Sequence, residues 1–410
     1  MKVLHINTFG NGSTGRIAAD ICRTLHENGH EGLVAFSRNR IDNDVPHYQF
    51  GSKWSVYTDG GLTRVTDRAG FYSSGPTKNL IKKIKEYDPD IIHLHNLHGY
   101  YINIELLFNY LKESGKPVVW TLHDCWPLTG HCPYFDFVGC DKWKTGCHNC
   151  PQIHEYPKSL VVDNSAQNYQ KKKKLFTSLP DLHLVCVSHW LETIVKQSFL
   201  GQFPVSVIYN GIDCNVFKPI NESNYRDQYG LKDKFIILGV ASDWSPRKGL
   251  NDFIRLSEKL SSDYQIVLVG LNKTQIKTIP EKIIGLPKTK TINELAEIYS
   301  TADIYFNASV EETFGMTTLE SLACNTPVIV YNSTALPEIC KPGTGFVVNK
   351  RDVNEVSKIL LKIEEIREIK ETNFSQNIAK NFNLDTIFKN YIELYENIIM
   401  SKNFANKYNY

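Results

Sequence analysis

Apolar residues along this chain recur in two rhythms that take turns. Short aliphatic and β-branched runs read as strands: Lys2 to Thr8, Leu33 to Phe36, Asp90 to Leu94, Pro117 to Leu122, His183 to Val187 and Val205 to Tyr209. Between them apolar positions fall at helical spacing, as in Arg16 to Asn28, which stops at Gly29, and in Leu80 to Tyr87. Such alternation predicts a parallel sheet with covering helices. Asn210-Gly-Ile-Asp213 is a turn signal, and the alternation restarts after Lys218-Pro219. Phe235 to Val240, Gln265 to Val269, Ile304 to Asn307 and Val328 to Tyr331 are the strands of this second series. The economical fold is α/β: two doubly wound, Rossmann-like domains over 1–213 and 214–383, then an amphipathic helix over 384–405.

Length and charge narrow the function. A chain of 410 residues can bury two full cores. Lys plus Arg is 46 and Asp plus Glu is 44, a net charge of +2, which argues against a nucleic-acid partner held by bulk charge. No apolar stretch approaches the ~18 residues of a membrane span. MKVLHINTFG starts directly as a strand and lacks the regions of a signal peptide, so a cytoplasmic location is expected. Four lysines, Lys171 to Lys174, form the one dense basic run. It reads either as a solvated helix end or as a contact with anionic lipid at the inner face of the membrane.

Candidate chemistry concentrates at strand ends, where open parallel sheets bind ligands. Glu312 and Glu320 flank Gly315, a turn that opens a helix through Met316, Leu319, Leu322 and Ala323. Outward amides at Gly315, Met316 and Thr317 suit a phosphate. Gly10-Asn-Gly12-Ser-Thr-Gly15 follows a strand, opens a helix and matches the dinucleotide fingerprint literally. With Arg38 at the end of the next strand, an NADP-dependent two-domain reductase stays open. His123 ends the strand Val118 to Leu122. Lys248-Gly249, preceded by Arg247, follows Phe235 to Val240 and can offset phosphate charge. Asp88-Pro-Asp90 sits where a helix-to-strand turn belongs and reads as a turn.

Cys125, Cys132, Cys140, Cys147 and Cys150 cluster with His131 and His148 among them. Cys132, Cys140, Cys147 and Cys150 could ligate a structural zinc; packed free thiols are the other reading.

Glu312 to Glu320, with seven residues between the acids, resembles the signature of the retaining family-4 glycosyltransferases. The cysteine block is similar to their colanic-acid and exopolysaccharide branch. The resemblance implies a GT-B fold, with a cleft between the domains and a last helix crossing back to the first. It implies transfer of a sugar from a nucleoside-diphosphate sugar to a glycan or lipid-linked glycan hydroxyl, in bacterial surface polysaccharide biosynthesis, with no cofactor needed for catalysis. By the same resemblance Glu312 and His123 contact the donor sugar, Gly15, Lys248, Gly315, Met316 and Thr317 the diphosphate, and Glu320 the ribose; Arg247, next to the lysine, can supply further charge to the diphosphate. An epimerase on the same fold is the nearest alternative. Two departures stand out: Ser242 occupies a position usually held by arginine, and Asn325 one usually held by glycine.

Overall fold

The structure, a computed structural model, describes residues 1–408. The chain forms two compact units: Met1–Tyr209 with the last helix from Ile387, and Asn210–Thr386.

The first unit is built on a seven-stranded sheet: β1 Lys2–Phe9, β2 Glu31–Arg38, β3 His47–Gln49, β4 Ile91–Leu94, β5 Val118–Leu122, β6 Leu182–Cys186 and β7 Val205–Val207. Its order is β3-β2-β1-β4-β5-β6-β7, and every pairing is parallel. Strand order reverses between β1 and β4, where Ile6 pairs with Leu94. That reversal opens a crevice at the carboxyl ends of both strands. β4 and β5 are buried at every position, as central parallel strands are. The last helix, Leu384–Tyr408, packs on this sheet through Ile387, Phe388, Tyr391 and Tyr395. Full burial of side chains this size stabilises by roughly 1.5–3 kcal/mol each. Two of them also anchor polar groups: Tyr391 Oη lies 3.2 Å from Thr121 Oγ1, and Tyr395 Oη 2.7 Å from His93 Nδ1. Asp88-Pro-Asp90 is a turn. Asp88 caps a helix in the left-handed conformation (φ 50°), and Asp90 accepts from the Lys2 amide at 2.7 Å.

The second unit has six parallel strands: β8 Phe235–Val240, β9 Tyr264–Val269, β10 Ile283–Leu286, β11 Ile304–Asn307, β12 Val328–Tyr331 and β13 Gly345–Val348. Their order is β10-β9-β8-β11-β12-β13, with the reversal between β8 and β11. The helix Met316–Ala323 follows β11 and buries Leu319, Leu322 and Ala323. Asn325 ends it with φ 59°, a left-handed turn that asparagine accepts in place of glycine.

Three strands have no clear signal in the residue pattern: β3, β10 and β13. All lie at sheet edges, span three or four residues and are mostly exposed or half-exposed, so neither a long apolar run nor an alternation develops.

Candidate active site

In the second unit the two loops at the strand-order reversal are laced together. Val310 N donates to Arg247 O at 2.9 Å, and Arg247 Nη1 donates to Glu311 O at 2.9 Å. Gly249 makes the approach possible: it turns at φ 76°, and a Cβ there would come 2.3 Å from Ala308 O. This lacing brings Lys248 Nζ onto Glu312 Oε1 as an ion pair. Burial draws the Lys248 ammonium below its ordinary range, and the Glu312 charge partly restores it. Burial would raise the Glu312 carboxyl, but Lys248 and Arg247 outweigh that and hold it below the usual carboxylate range.

Past this pair the backbone turns at Gly315 (φ 107°), where a Cβ would meet Leu336 at 2.9 Å. Thr318 N donates back to Gly315 O at 2.9 Å, so the outward amides are those up to Thr317. Two buried tyrosines orient the helix's polar side chains. Tyr305 Oη donates to Thr317 Oγ1 at 2.8 Å, and Tyr299 Oη donates to Glu320 Oε2 at 3.0 Å. Burial raises both phenols, so each remains a donor. Lys248, Glu312, Gly315, Met316, Thr317 and Glu320 thus belong to one rim of one sheet. Cations, helix amides and carboxylates are the groups that grip a phosphate and a polyol. Neither Tyr299 nor Tyr305 carries a local sequence signal, because each meets its partner only where helix Met316–Ala323 packs back on the sheet.

In the first unit His123 stands at the end of β5 in a row of imidazoles. His123 Nε2 lies 3.1 Å from His95 Nδ1, and His95 Nε2 lies 3.2 Å from His5 Nδ1. Burial lowers His5 to about 3 and His123 to about 4, the latter against the pull of Asp124. His123 is therefore a neutral hydrogen-bonding group near pH 7. It lines a pocket at the ends of β4 and β5 with His95, His98 and Asp124. Asp124 takes His98 Nε2 at 2.7 Å and the Trp126 amide at 2.9 Å. His5, His93 and His95 hold ligand nitrogens within 4.8 Å of one another, close enough for a metal ion. Both His93 nitrogens, however, are already paired, with Tyr395 Oη and with Thr121 Oγ1 at 2.8 Å.

At the end of β1, Gly12 (φ 81°) caps the helix Ser13–Glu27. Gly15 lies against the strand it has just left, and a Cβ would stand 2.7 Å from Phe9 O. Close helix–strand packing explains that glycine. Arg38 lies over the Phe9 ring at 5.0 Å and donates to Gly99 O at 3.4 Å.

The four candidate zinc ligands, Cys132, Cys140, Cys147 and Cys150, line one cavity, and all are free thiols. The lysine run requires a correction. Lys171, Lys173 and Lys174 are exposed, but Lys172 is buried (1% exposed). Its ammonium donates to Trp126 O and Thr129 O at 2.9 and 3.0 Å.

Residues 14–216 match Glycosyltransferase Family 4, and residues 221–381 match Glycosyl transferases group 1. The chain belongs to the family-4 glycosyltransferases. The putative colanic acid biosynthesis glycosyl transferase WcaC of Escherichia coli (strain K12) is 25% identical over 327 residues, 76% of this chain and 77% of that protein. The O-antigen chain mannosyltransferase RfbU of Salmonella typhimurium is 26% identical over 193 residues, 45% of this chain and 51% of RfbU. Sucrose-phosphate synthase from Thermosynechococcus elongatus matches with a TM-score of 0.70 at 16% identity, over 98% of this chain and 99% of that one. HepE from Anabaena, in complex with UDP and glucose, matches with a TM-score of 0.68 at 17% identity, over 96% and 99%. At such identities structural likeness carries the fold, which is GT-B. As a family-4 glycosyltransferase the chain is an enzyme, and the reductase reading of Gly10 to Gly15 falls away. Among the described residues no helix is long and apolar enough to cross a membrane.

Proposed function

We propose that this family-4 glycosyltransferase moves a sugar, with retention of configuration, from a nucleoside-diphosphate sugar to a hydroxyl of a glycan or lipid-linked glycan. The pathway is bacterial surface polysaccharide synthesis, a reading supported by the colanic acid biosynthesis in WcaC's name and the O-antigen chain in RfbU's. The observation that carries the reading is the Lys248–Glu312 pair beside the Gly315 helix end. Lys248, with Arg247, neutralises the departing diphosphate, and the amides of Gly315, Met316 and Thr317 cradle it. Arg247 takes over the charge that Ser242 lacks.

Glu320, aimed by Tyr299, accepts hydrogen bonds from the ribose. Glu312 contacts the donor sugar's hydroxyls and steadies the oxocarbenium-like charge. When the diphosphate arrives, Lys248 exchanges part of its pairing from Glu312 to phosphate oxygen, which frees the carboxylate for the sugar. His123, neutral and held by His95, is the first unit's own hydrogen-bonding group for a sugar hydroxyl. The exposed Lys171, Lys173 and Lys174 meet anionic lipid when the acceptor is membrane-linked, each adding on the order of 1 kcal/mol.

A panel of nucleotide sugars screened by thermal shift, followed by transfer assays on the stabilising donor, tests the reading. The expected result is stabilisation by one donor class and an axial or equatorial product matching that donor's anomer. No stabilisation by any nucleoside diphosphate would refute it.

A further inference from the structure

A helix on a protein surface ordinarily turns its apolar stripe toward the core. Helix Lys53–Thr66 of the first unit does the reverse. Its inward face is Asp59, Gly60 and Thr63, all buried. Its outward face carries Trp54, Tyr57, Leu62 and Val65 at helical spacing, with Trp54 81% and Tyr57 71% exposed. Polar bonds hold it in this orientation. Ser73 Oγ donates to Asp59 Oδ2 at 2.6 Å, Thr63 Oγ1 donates to Asp59 Oδ1 at 3.2 Å, and Ser52 and Ser55 close a capping box at the helix start. Rolling the helix to bury Trp54 would pull Asp59 away from both donors.

A second segment extends this surface. Leu160 N donates to Arg64 O at 2.7 Å, so Leu160, Val161 and Val162 run beside the end of the helix, and all three are exposed. Contiguous exposed apolar surface marks a contact with protein or membrane.

Charge decides between the two. Lys53, Arg64, Arg68 and Lys158 are exposed cations of these segments. Their acids are withdrawn: Asp59 and Asp67 are buried, and Asp163 accepts from the Cys150 amide at 2.6 Å and the Ser165 amide at 2.8 Å. Glu155, before Lys158, is an exposed acid. Lys171 adds a cation just past the helix, with its ammonium 5.4 Å over the Phe71 ring. Two copies of such a face would meet with like charges opposed. Anionic lipid complements it, and Trp and Tyr beside Lys and Arg is the composition of a helix lying in the headgroup region.

We infer that the outward face of helix Lys53–Thr66, together with Leu160–Val162, docks on an anionic lipid bilayer, with Trp54 and Tyr57 entering the boundary between headgroups and acyl chains. The lipid contact proposed for Lys171, Lys173 and Lys174 is electrostatic; the present inference rests on that reading only for the anionic lipid and adds an inserted apolar face. The face adjoins the pocket that His123 lines. Gly60 lies against the Tyr100 ring, where a Cβ would stand 3.5 Å away. Tyr100 meets the Tyr156 ring at 6.0 Å, and Tyr156 Oη lies 2.8 Å from Nδ1 of His98, a residue of that pocket. A lipid-linked acceptor in the bilayer would thus be held beside the unit that receives its hydroxyl.

Sedimentation of the full chain with phosphatidylglycerol–phosphatidylethanolamine vesicles, and with phosphatidylcholine vesicles, tests it. The chain should co-sediment with the anionic vesicles at low salt and not with phosphatidylcholine. Acyl chains brominated near the headgroup should quench its tryptophan fluorescence. Trp54→Phe should remove most of that quenching, since Trp120, Trp126 and Trp143 are buried. Trp54→Gln/Tyr57→Gln should lower the vesicle partition coefficient by at least about ten-fold, the scale of two large side chains left in water. That variant should keep the wild-type far-UV spectrum and the wild-type thermal response to nucleoside diphosphates, so the outcome is independent of the donor reading. Three results overturn the inference. One is no co-sedimentation with anionic vesicles at low salt. Another is co-sedimentation without acyl-chain quenching, which would leave the lysine contact alone. The third is a dimer in light scattering that Trp54→Gln/Tyr57→Gln dissociates, which would make a second copy the occupant.

Discussion

Lys248 and Glu312 stand 64 positions apart in sequence and close an ion pair at the ends of adjacent strands, with 17% and 14% of their side chains exposed. Neither residue is fully desolvated alone, because each supplies the other's counter-charge. Lys248→Ala should cut kcat/KM for transfer by about 10²–10³, the usual effect of removing one group that stabilises developing charge. Partial exposure places the stability cost below the ~3–5 kcal/mol of a fully buried pair broken on one side. In urea unfolding, the Lys248→Ala/Glu312→Ala double variant should be no less stable than the worse single variant. Strict additivity of the two losses would contradict the pairing.

Glu320 is aimed by Tyr299 at 3.0 Å. Glu320→Ala should weaken binding of the nucleoside diphosphate by about 1.5–3 kcal/mol, the worth of a hydrogen bond to a charged group. Tyr299→Phe should weaken it less, since it loosens the carboxylate without removing it. Isothermal titration calorimetry on the two variants separates them. Unchanged affinity in Glu320→Ala removes that residue from the site.

Acid should destabilise the first unit well before carboxylates titrate. His5, His93, His95 and His123 are lowered by burial, His5 to about 3 and His123 to about 4, from an ordinary 6.5. The unfolded chain therefore binds more protons between pH 6.5 and those values, and stability falls as pH drops through that window. Each such histidine contributes a slope of up to about 1.4 kcal/mol per pH unit. His131 works in the opposite sense. Burial would lower it, but Asp67 holds it above its ordinary value, so its contribution is present at low pH and lost as pH rises. Glu312, held low, keeps its contribution down to its unfolded value near ~4.3 and stays silent in this range. The urea midpoint should drop clearly from pH 7.5 to 5.5, and His5→Asn should flatten the trend. A flat midpoint over that range would refute the assignment.

How much of this was readable from the residues follows from burial. β4, β5, β11 and β12 are buried at every position and announce themselves as apolar runs. β3, β10 and β13 are short edges with nothing periodic to read. The Gly315 helix end and its two flanking acids were legible because turn, helix and charge are local in sequence. The lacing of Arg247 to Glu311 was not, since no local pattern spans two loops that meet only through sheet topology. In the lysine run four identical residues conceal one that faces inward, and only the packing of helix Ser165–Phe176 identifies Lys172.

Gly249→Ala probes that lacing directly. The position has φ 76°, and its Cβ would meet Ala308 O at 2.3 Å, so strain and overlap add. The second unit should lose at least about 1–3 kcal/mol, and nucleotide binding should fall with it as the β8 and β11 loops part. Thermal unfolding with and without a nucleoside diphosphate measures both. A wild-type melting temperature together with wild-type affinity would show that the loops do not depend on this turn.

Transfer should proceed without a bound divalent cation at the donor. Both Asp-x-Asp pairs of the sequence, the spacing at which two carboxylates can hold a metal on a nucleotide, are committed elsewhere: Asp88 Oδ1 to Lys116 Nζ at 2.8 Å and Asp90 to the Lys2 amide, and Asp42 and Asp44 to Arg23 at 2.8 and 2.7 Å. Lys248, Arg247 and the helix amides supply positive charge where a metal ion otherwise would. Initial rates in EDTA should equal those in magnesium. Activity lost in EDTA and restored by magnesium or manganese would place a catalytic cation at the diphosphate and displace Lys248 from the role assigned to it.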